Sequence, residues 1–397
     1  MAGKKIIYLD NAATTAVDEK VVGAMRPYFS KVYGNASSIH MLGQEAGKTL
    51  EKSGNEIAKA IGAEVGEIIF TSGGTESNNL VIKGLAYANP DKKHIIITRI
   101  EHDCVLNACK WLQSINQEYK VTYLDVDNEG FINTKELEDA IRPDTFLVSV
   151  IHGNNEIGTI QDLTAIGKIC RNRGVYFHSD ACQSFTKVNI NVKKMNIDLL
   201  TINSHKIHGP KGVGALYIRN GIKLNPLLHG GGQEKGIRSG TENIPGIAGF
   251  AEAVKIAMKN QIKDTVKMAK LRDNLIKGLE KTPGTKLNGP IGEKRLCNNV
   301  NITFSAIEGE SILGYLDKEG ICVSTGSACS SRTLEPSHVL LAIGLKPENA
   351  HGSIRFSLSK YTTDAEINKV IKTVPKVVGV LRKMSPYNVH NLYRDKK

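Results

Sequence analysis

Lys206 stands in Ser204-His205-Lys206-Ile207-His208-Gly209-Pro210-Lys211-Gly212, directly after the apolar run Ile197 to Ile202. The run reads as a buried strand and the glycine-rich stretch as a turn. A lysine at the end of a core strand is poorly solvated, which favours its neutral, nucleophilic amine. Such an amine can condense with an aldehyde. Upstream, Gly174 to Asp180 reads as another strand that delivers a carboxylate at its C-terminal edge. Pyridoxal phosphate needs both groups, a lysine for its aldehyde and an acid for its pyridinium nitrogen. Taken singly, Lys206 reads as a surface lysine and Asp180 as a helix cap. Their joint position at successive strand ends points to the cofactor.

Other residues suit the same chemistry. In Phe70-Thr-Ser-Gly-Gly-Thr-Glu-Ser-Asn-Asn79, a glycine pair sits between a strand and a helix. Gly73 and Gly74 let the backbone approach an anion, the helix start supplies free N–H groups, and Thr75 adds a hydroxyl. His102 ends another strand, where an imidazole offers a flat face and a proton carrier. Asn155 and Gln183 close further strands as amide donors, although both types are also ordinary turn residues. Cys329 lies among small polar residues, Ser324 to Ser331, with Arg332 beside it. An exposed thiol near a cation has thiolate character. Cysteines 104, 109, 170 and 182 fall in segments that read as helix or strand, and Cys322 reads as packing. Arg355, flanked by apolar residues, suits bidentate capture of a carboxylate or an ion pair between domains.

The elements that must position these groups alternate from about residue 66 to 250. Strands are expected at Glu67–Thr71, His94–Thr98, Lys120–Leu124, Thr145–Ile151, Val175–His178, Ile197–Asn203 and Val213–Ile218. Their nearly continuous apolar character suits central strands covered on both faces. Intervening helices such as 162–173 indicate a mostly parallel α/β sheet, with ligands outside its carboxyl edge. A long helix is expected from Pro245 to about Lys281. Alternation then resumes with strands at 299–304, 321–324 and 353–358 and helices at 309–319, 336–343 and from 363. The expected division is an arm (1–20), a large α/β domain (21–250), and the linking helix with a small α+β domain (251–397). The pattern does not decide which domain the arm joins.

The chain has 397 residues, 41% hydrophobic and 23% charged, as in an ordinary globular enzyme. No apolar run approaches the ~18 residues of a membrane span. Met1 to Lys5 leads straight into a strand and leaves no room for a signal peptide, so a cytoplasmic protein is expected. The net charge of +12 is dispersed along the chain. With no zinc-finger or helix-turn-helix pattern, direct nucleic-acid binding is not expected. Seven cysteines without a CxxC pair fit free thiols in a reducing compartment.

With these residues placed, the chain resembles the pyridoxal-phosphate-dependent cysteine desulfurases of the NifS/IscS type, within the class V aminotransferases. The similarity runs from Tyr8-Leu-Asp-Asn-Ala-Ala-Thr-Thr15 to Met384-Ser-Pro386. It includes Thr71-Ser-Gly-Gly-Thr-Glu-Ser, Glu101-His102, Asn154-Asn-Glu-Ile-Gly158, His205-Lys206 with Gly209-Pro-Lys-Gly212, Arg238-Ser-Gly-Thr-Glu-Asn243 and Ser324-Thr-Gly-Ser-Ala-Cys-Ser330. The resemblance implies an α/β, fold-type I homodimer with a mostly parallel seven-stranded sheet. Lys206 would form the Schiff base, Asp180 would meet the pyridinium nitrogen, and His102 would stack on the ring with Asn155 and Gln183 nearby. Gly74, Thr75, Asn203, His205 and, from the partner subunit, Thr241 would surround the phosphate. Asn155 and Arg355 would hold L-cysteine, and Cys329 would attack its sulfur. A sulfur acceptor is implied, such as an Fe–S scaffold protein. No metal site is expected, with Cys329 left open as a cluster ligand. Two departures are visible: Asn203 where the family often has Ser, and Ala36 where it usually has Pro. Selenocysteine lysis or class V aminotransfer are the neighbouring alternatives, and an idle scaffold the distant one.

Overall fold

The computed structural model describes residues 6–326 and 335–385. Its strands in chain order are β1 (Ile7–Tyr8), β2 (Ile68–Thr71), β3 (His94–Thr98), β4 (Lys120–Leu124), β5 (Thr145–Ser149), β6 (Tyr176–Asp180), β7 (Leu199–Asn203) and β8 (Gly214–Ile218). They continue with β9 (Thr285–Leu287), β10 (Asn299–Phe304), β11 (Ile321–Cys322), β12 (Ser324–Thr325) and β13 (Ser353–Ser357). The seven expected strands form one seven-stranded sheet in the order β2-β8-β7-β6-β5-β3-β4. All neighbours are parallel except β8, which is antiparallel to both β2 and β7.

Side chains on a strand alternate between faces, so a strand apolar at every position serves two cores at once. In β3, Ile95 and Ile97 pack with Leu147 and Leu199 on one face, while Ile96 packs with Val148, Phe177 and Leu200 on the other. The crossover helix Leu163–Arg173 shows how local chemistry sets its ends. The Asp162 carboxylate accepts from the N–H groups of Thr164 and Ala165, and Gly174 closes the helix at φ 66°, where a side chain is disfavoured.

The connection from β7 to β8 is not a helical crossover but a ten-residue turn, closed by the pairing of Asn203 with Gly214. Lys206 stands in that turn. A side chain at Gly209 would overlap Ser204 Oγ, so the turn is as tight as its glycine permits.

The long helix Ile244–Leu279 is capped by Asn243, whose side chain accepts from Gly246 N. Its first part (Ile247, Phe250, Val254) packs under the large sheet, and its last part (Leu271, Leu275, Leu279) joins a separate core. That second core lies on the antiparallel sheet β12-β13-β10-β9 and includes the final helix Asp364–Met384. The single strand expected at 321–324 is divided. β11 pairs in parallel with β1, whereas β12 turns onto β13. The start of the arm, undecided from sequence, forms a separate two-stranded sheet with β11 and buries Ile7 and Leu9 in the second core. Among the described residues, no helix is long and apolar enough to cross a membrane.

Candidate active site

The strand ends of β6 and β7 bring Asp180 and Lys206 to one edge of the large sheet. Asp180 is buried, with Oδ1 accepting from Cys182 N at 2.9 Å and Oδ2 from Asn78 Nδ2 at 2.7 Å. Burial opposes ionisation, but the His102 ring, the Cys182 N–H and the Asn78 amide outweigh it and hold the carboxyl below the usual range. Lys206 is half-buried. His102 begins the helix Asp103–Ile115, and its Nδ1 accepts from Cys104 N at 3.2 Å. Burial and the nearby Lys206 charge lower its pKa, so the ring is neutral at pH 7.

Gly73 starts the helix Gly74–Ala88 at φ 153°, and no side chain caps that first turn. Apart from its own chain neighbours, no atom of the described residues lies within 4 Å of where a Gly73 Cβ would stand, whereas a Cβ at Gly74 would meet Cys182 Sγ at 2.7 Å. Bare N–H groups at a helix start beside open space suit an anion. Asn203 is buried at the end of β7, with Nδ2 3.8 Å from that same Gly74 Cβ position and Oδ1 without a partner among the described residues. Asn203 thus stands at the helix start, while Ser204 Oγ faces Gly209 and does not replace it. Thr75 is exposed on the same turn.

The arm completes this edge. Thr15 donates from N and Oγ1 to the His205 carbonyl at 3.1 and 2.8 Å, and Thr14 Oγ1 lies 3.2 Å from His205 Nδ1. Gln183 donates from Nε2 to Ala12 O at 2.9 Å. Lys187 spans the two strand-end segments, donating to the carbonyls of Gln183 at 3.0 Å and Lys206 at 3.4 Å. Burial, only partly offset by Cys297, lowers the Lys187 ammonium to about 8.

Asn155 is aimed by its neighbour. Asn154 is fully buried; its Oδ1 accepts from Glu156 N and Ile157 N, and its Nδ2 donates to Ile100 O at 2.9 Å. This ties the β3 and β5 loops together and leaves Asn155 half-buried at the surface. Arg355 on β13 is only 2% exposed and donates to Asn155 O at 3.1 Å, Gly326 O at 3.4 Å and Asp10 Oδ1 at 3.1 Å. The ion-pair role weighed for Arg355 from sequence is therefore realised, with Asp10 of the arm. Glu156 is buried beside Arg355, burial raises its carboxyl pKa, and its Oε2 accepts from Ser337 Oγ at 2.5 Å.

Cys329 and Arg332 lie outside the described residues. Thr241 is exposed and makes no described contact with the other candidates, while Arg238 near it pairs with Glu76 at 2.9 Å. Asn78 and Asp10 are not singled out by the sequence, which places Cys104 and Cys182 only in segments that read as helix or strand. Asn78 had a signal, because it follows Thr75 by three residues and so shares its helix face. Cys104 and Cys182 had none beyond adjacency to His102 and Asp180. Cys109 and Cys170 do pack in the cores on the two faces of the sheet. Among the described residues, no cluster of His, Cys, Asp and Glu could hold a metal ion.

Residues 7–370 match the aminotransferase class-V family, and the chain belongs to that family. Within it, the chain is 51% identical to the cysteine desulfurase IscS of Methanosarcina thermophila, over 96% of this chain and 94% of the relative. A solved NifS-like protein superposes with a TM-score of 0.89 at 39% identity, covering 95% of this chain and all of the other. A structure of SspA in complex with cysteine superposes at 0.79 with 38% identity, over 90% and 99% of the two chains.

Proposed function

We propose that this protein is a cysteine desulfurase that uses pyridoxal phosphate to take sulfur from L-cysteine, leaving L-alanine and a persulfide on Cys329. The observation that carries the reading is the meeting of Lys206, Asp180 and His102 on one sheet edge, where the Lys206 and Asp180 charges both act on the His102 ring. The likeness to desulfurases over nearly the whole chain supports it.

The residues present fit the cofactor. The uncapped Gly73–Gly74 helix start, with the Thr75 hydroxyl and the Asn203 Nδ2 donor beside it, suits a phosphate. Asp180, its pKa held down by the His102 ring and its hydrogen bonds, suits a protonated pyridine nitrogen. When bound, pyridoxal phosphate supplies an electron sink for the carbanion formed at substrate Cα.

The chain's own groups do the rest. Lys206 Nζ would hold the cofactor by its aldehyde and carry protons at substrate Cα, and the neutral His102 ring would cover the site. Arg355 takes the cysteine carboxylate, which requires it to share Nη2 with Asp10, and Asn155 lies beside it. Cys329, as thiolate, attacks the substrate sulfur. An S–S bond forms, the substrate C–S bond breaks, and its electron pair returns to the substrate carbon, where protonation gives alanine.

The proposal includes a homodimer in which Thr241 serves the neighbour's phosphate site. Its exposure supports this, as do the exposed apolar side chains Phe29, Tyr33, Ile39 and Met41 on one stretch of chain. It also includes a cytoplasmic enzyme with an Fe–S scaffold or another thiolation protein as sulfur acceptor. The six described cysteines are free thiols, as a reducing compartment keeps them.

The deciding experiment incubates the protein with L-cysteine, measures alanine and locates added sulfur by mass spectrometry. Cys329→Ser should keep the yellow cofactor while forming no protein persulfide and almost no alanine. Sulfur found on another residue, with Cys329 dispensable, would defeat the reading.

A further inference from the structure

The thiol of Cys104 stands between the two groups read as flanking the cofactor ring. Its Sγ lies 3.0 Å from His102 Nδ1 and 3.1 Å from Asn78 Nδ2, and the same Asn78 nitrogen donates to Asp180 Oδ2 at 2.7 Å. His102 Nδ1 also accepts the Cys104 backbone N–H at 3.2 Å. The hydrogens can be counted. The Asn78 amide has two, one for Asp180 and one for Sγ; the thiol then has its own proton left for Nδ1. A nitrogen that receives both a backbone N–H and a thiol must carry the lone pair, so the ring proton belongs on Nε2.

We propose that Cys104 is a positioning residue that seals Nδ1 of His102, so that the ring exchanges protons only through Nε2 and is held in register with Asp180 through Asn78. The inference rests on the reading of His102 as the ring over the cofactor. Burial, with the nearby Asp180 charge, pushes the Cys104 thiol up to about 12, so it stays protonated and able to donate. The charged and titratable groups that bear on His102 come from every side. Asp103 and Cys104 lie on its own helix, Asp180 ends β6, and Lys206 lies in the turn after β7. His338 comes from the helix His338–Ala342, where its Nε2 lies 2.9 Å from Glu101 O.

Nitrogen NMR of isotope-labelled histidine, with the His102 signal assigned by its loss in His102→Gln, reads tautomer and titration directly. It is recorded with and without pyridoxal phosphate. The wild-type ring should show a lone pair on Nδ1 and a proton on Nε2. Losing a donor to Nδ1 favours protonation there, so Cys104→Ala should raise the His102 protonation constant roughly threefold to tenfold. The acid limb of the kcat profile should move to higher pH with it. Cys104→Ser, which keeps a shorter donor, should fall between the two. A proton on Nδ1 in the wild type, or an unchanged titration in Cys104→Ala, would overturn the proposal. Cofactor uptake, read as yellow colour lost on borohydride reduction, tests the functional reading separately, because the tautomer is also measured in the cofactor-free protein.

Discussion

Asp10 and Arg355 are 345 residues apart in sequence, yet Arg355 Nη2 donates to Asp10 Oδ1 at 3.1 Å. The guanidinium assigned to the substrate carboxylate thus already holds a carboxylate of the chain itself. Its Nε is buried without a partner among the described residues, and burial keeps the Asp10 carboxyl above its ordinary pKa despite the pairing. On the proposed reading, an incoming cysteine shares Arg355 with this resident acid.

Asp10→Asn should therefore lower KM for L-cysteine by roughly twofold to tenfold with kcat little changed, because one competing negative charge is gone while the amide still accepts from Arg355. Steady-state alanine release measures both constants. A raised KM would mean that Asp10 serves to hold Arg355 in place.

Gly74 has no room for a side chain. A Cβ there would stand 2.7 Å from Cys182 Sγ, and that thiol is itself buried. Gly74→Ala should cost about 1–3 kcal/mol of stability through overpacking and weaken cofactor binding. Cys182→Ala removes the clashing atom, so the double variant should recover most of the loss. A double-mutant cycle on urea unfolding checks this; strictly additive losses would refute the contact.

Glu101 supplies a pH dependence with a definite sign. Its carboxyl is fully buried, with Oε1 accepting from Thr98 Oγ1 and Ile151 N at 2.8 Å and Oε2 without a partner among the described residues. Burial outweighs those hydrogen bonds and raises its pKa to about 8. The folded protein holds a proton here that the unfolded chain releases near pH ~4.5. Stability from this group is thus full below that pH and is lost as pH rises to about 8. The loss is on the order of a few kcal/mol. Glu101→Gln stays neutral throughout and should flatten the stability profile between pH ~5 and 8, as measured by denaturant unfolding. Parallel profiles for the two proteins would show that Glu101 is ionised in the fold.

The dimer reading predicts complementation. Mixed dimers of Lys206→Ala and Thr241→Ala protomers contain one doubly altered site and one intact site if Thr241 reaches the partner's site. They should show about half the wild-type activity per dimer, far above either parent. Activity no higher than the mean of the parents would place Thr241 in its own subunit's site, and a fully active monomer by light scattering would end the dimer proposal.

Lys206, Asp180, His102 and the Gly73–Gly74 turn were legible in the sequence because each ends or follows a strand whose own apolar run announces it. In a mostly parallel sheet, strand ends share an edge whatever the strand order. That reasoning needs only local periodicity, and it located the strand from His94 to Thr98 to the residue. Which side chains then meet was not legible. The pairing of Asp10 with Arg355 needs β1 to add to β11 and Asp10 to bridge Ser357, next to β13's Arg355. The contact of Cys104 with Asn78 needs two helices that cover one face of the sheet to pack together. Those contacts follow from strand order, register and helix packing, which are set by the summed burial of whole faces rather than by any short run of residues. The sequence therefore determined the chemical groups and the edge on which they stand, and the tertiary structure alone decided the partners that orient them.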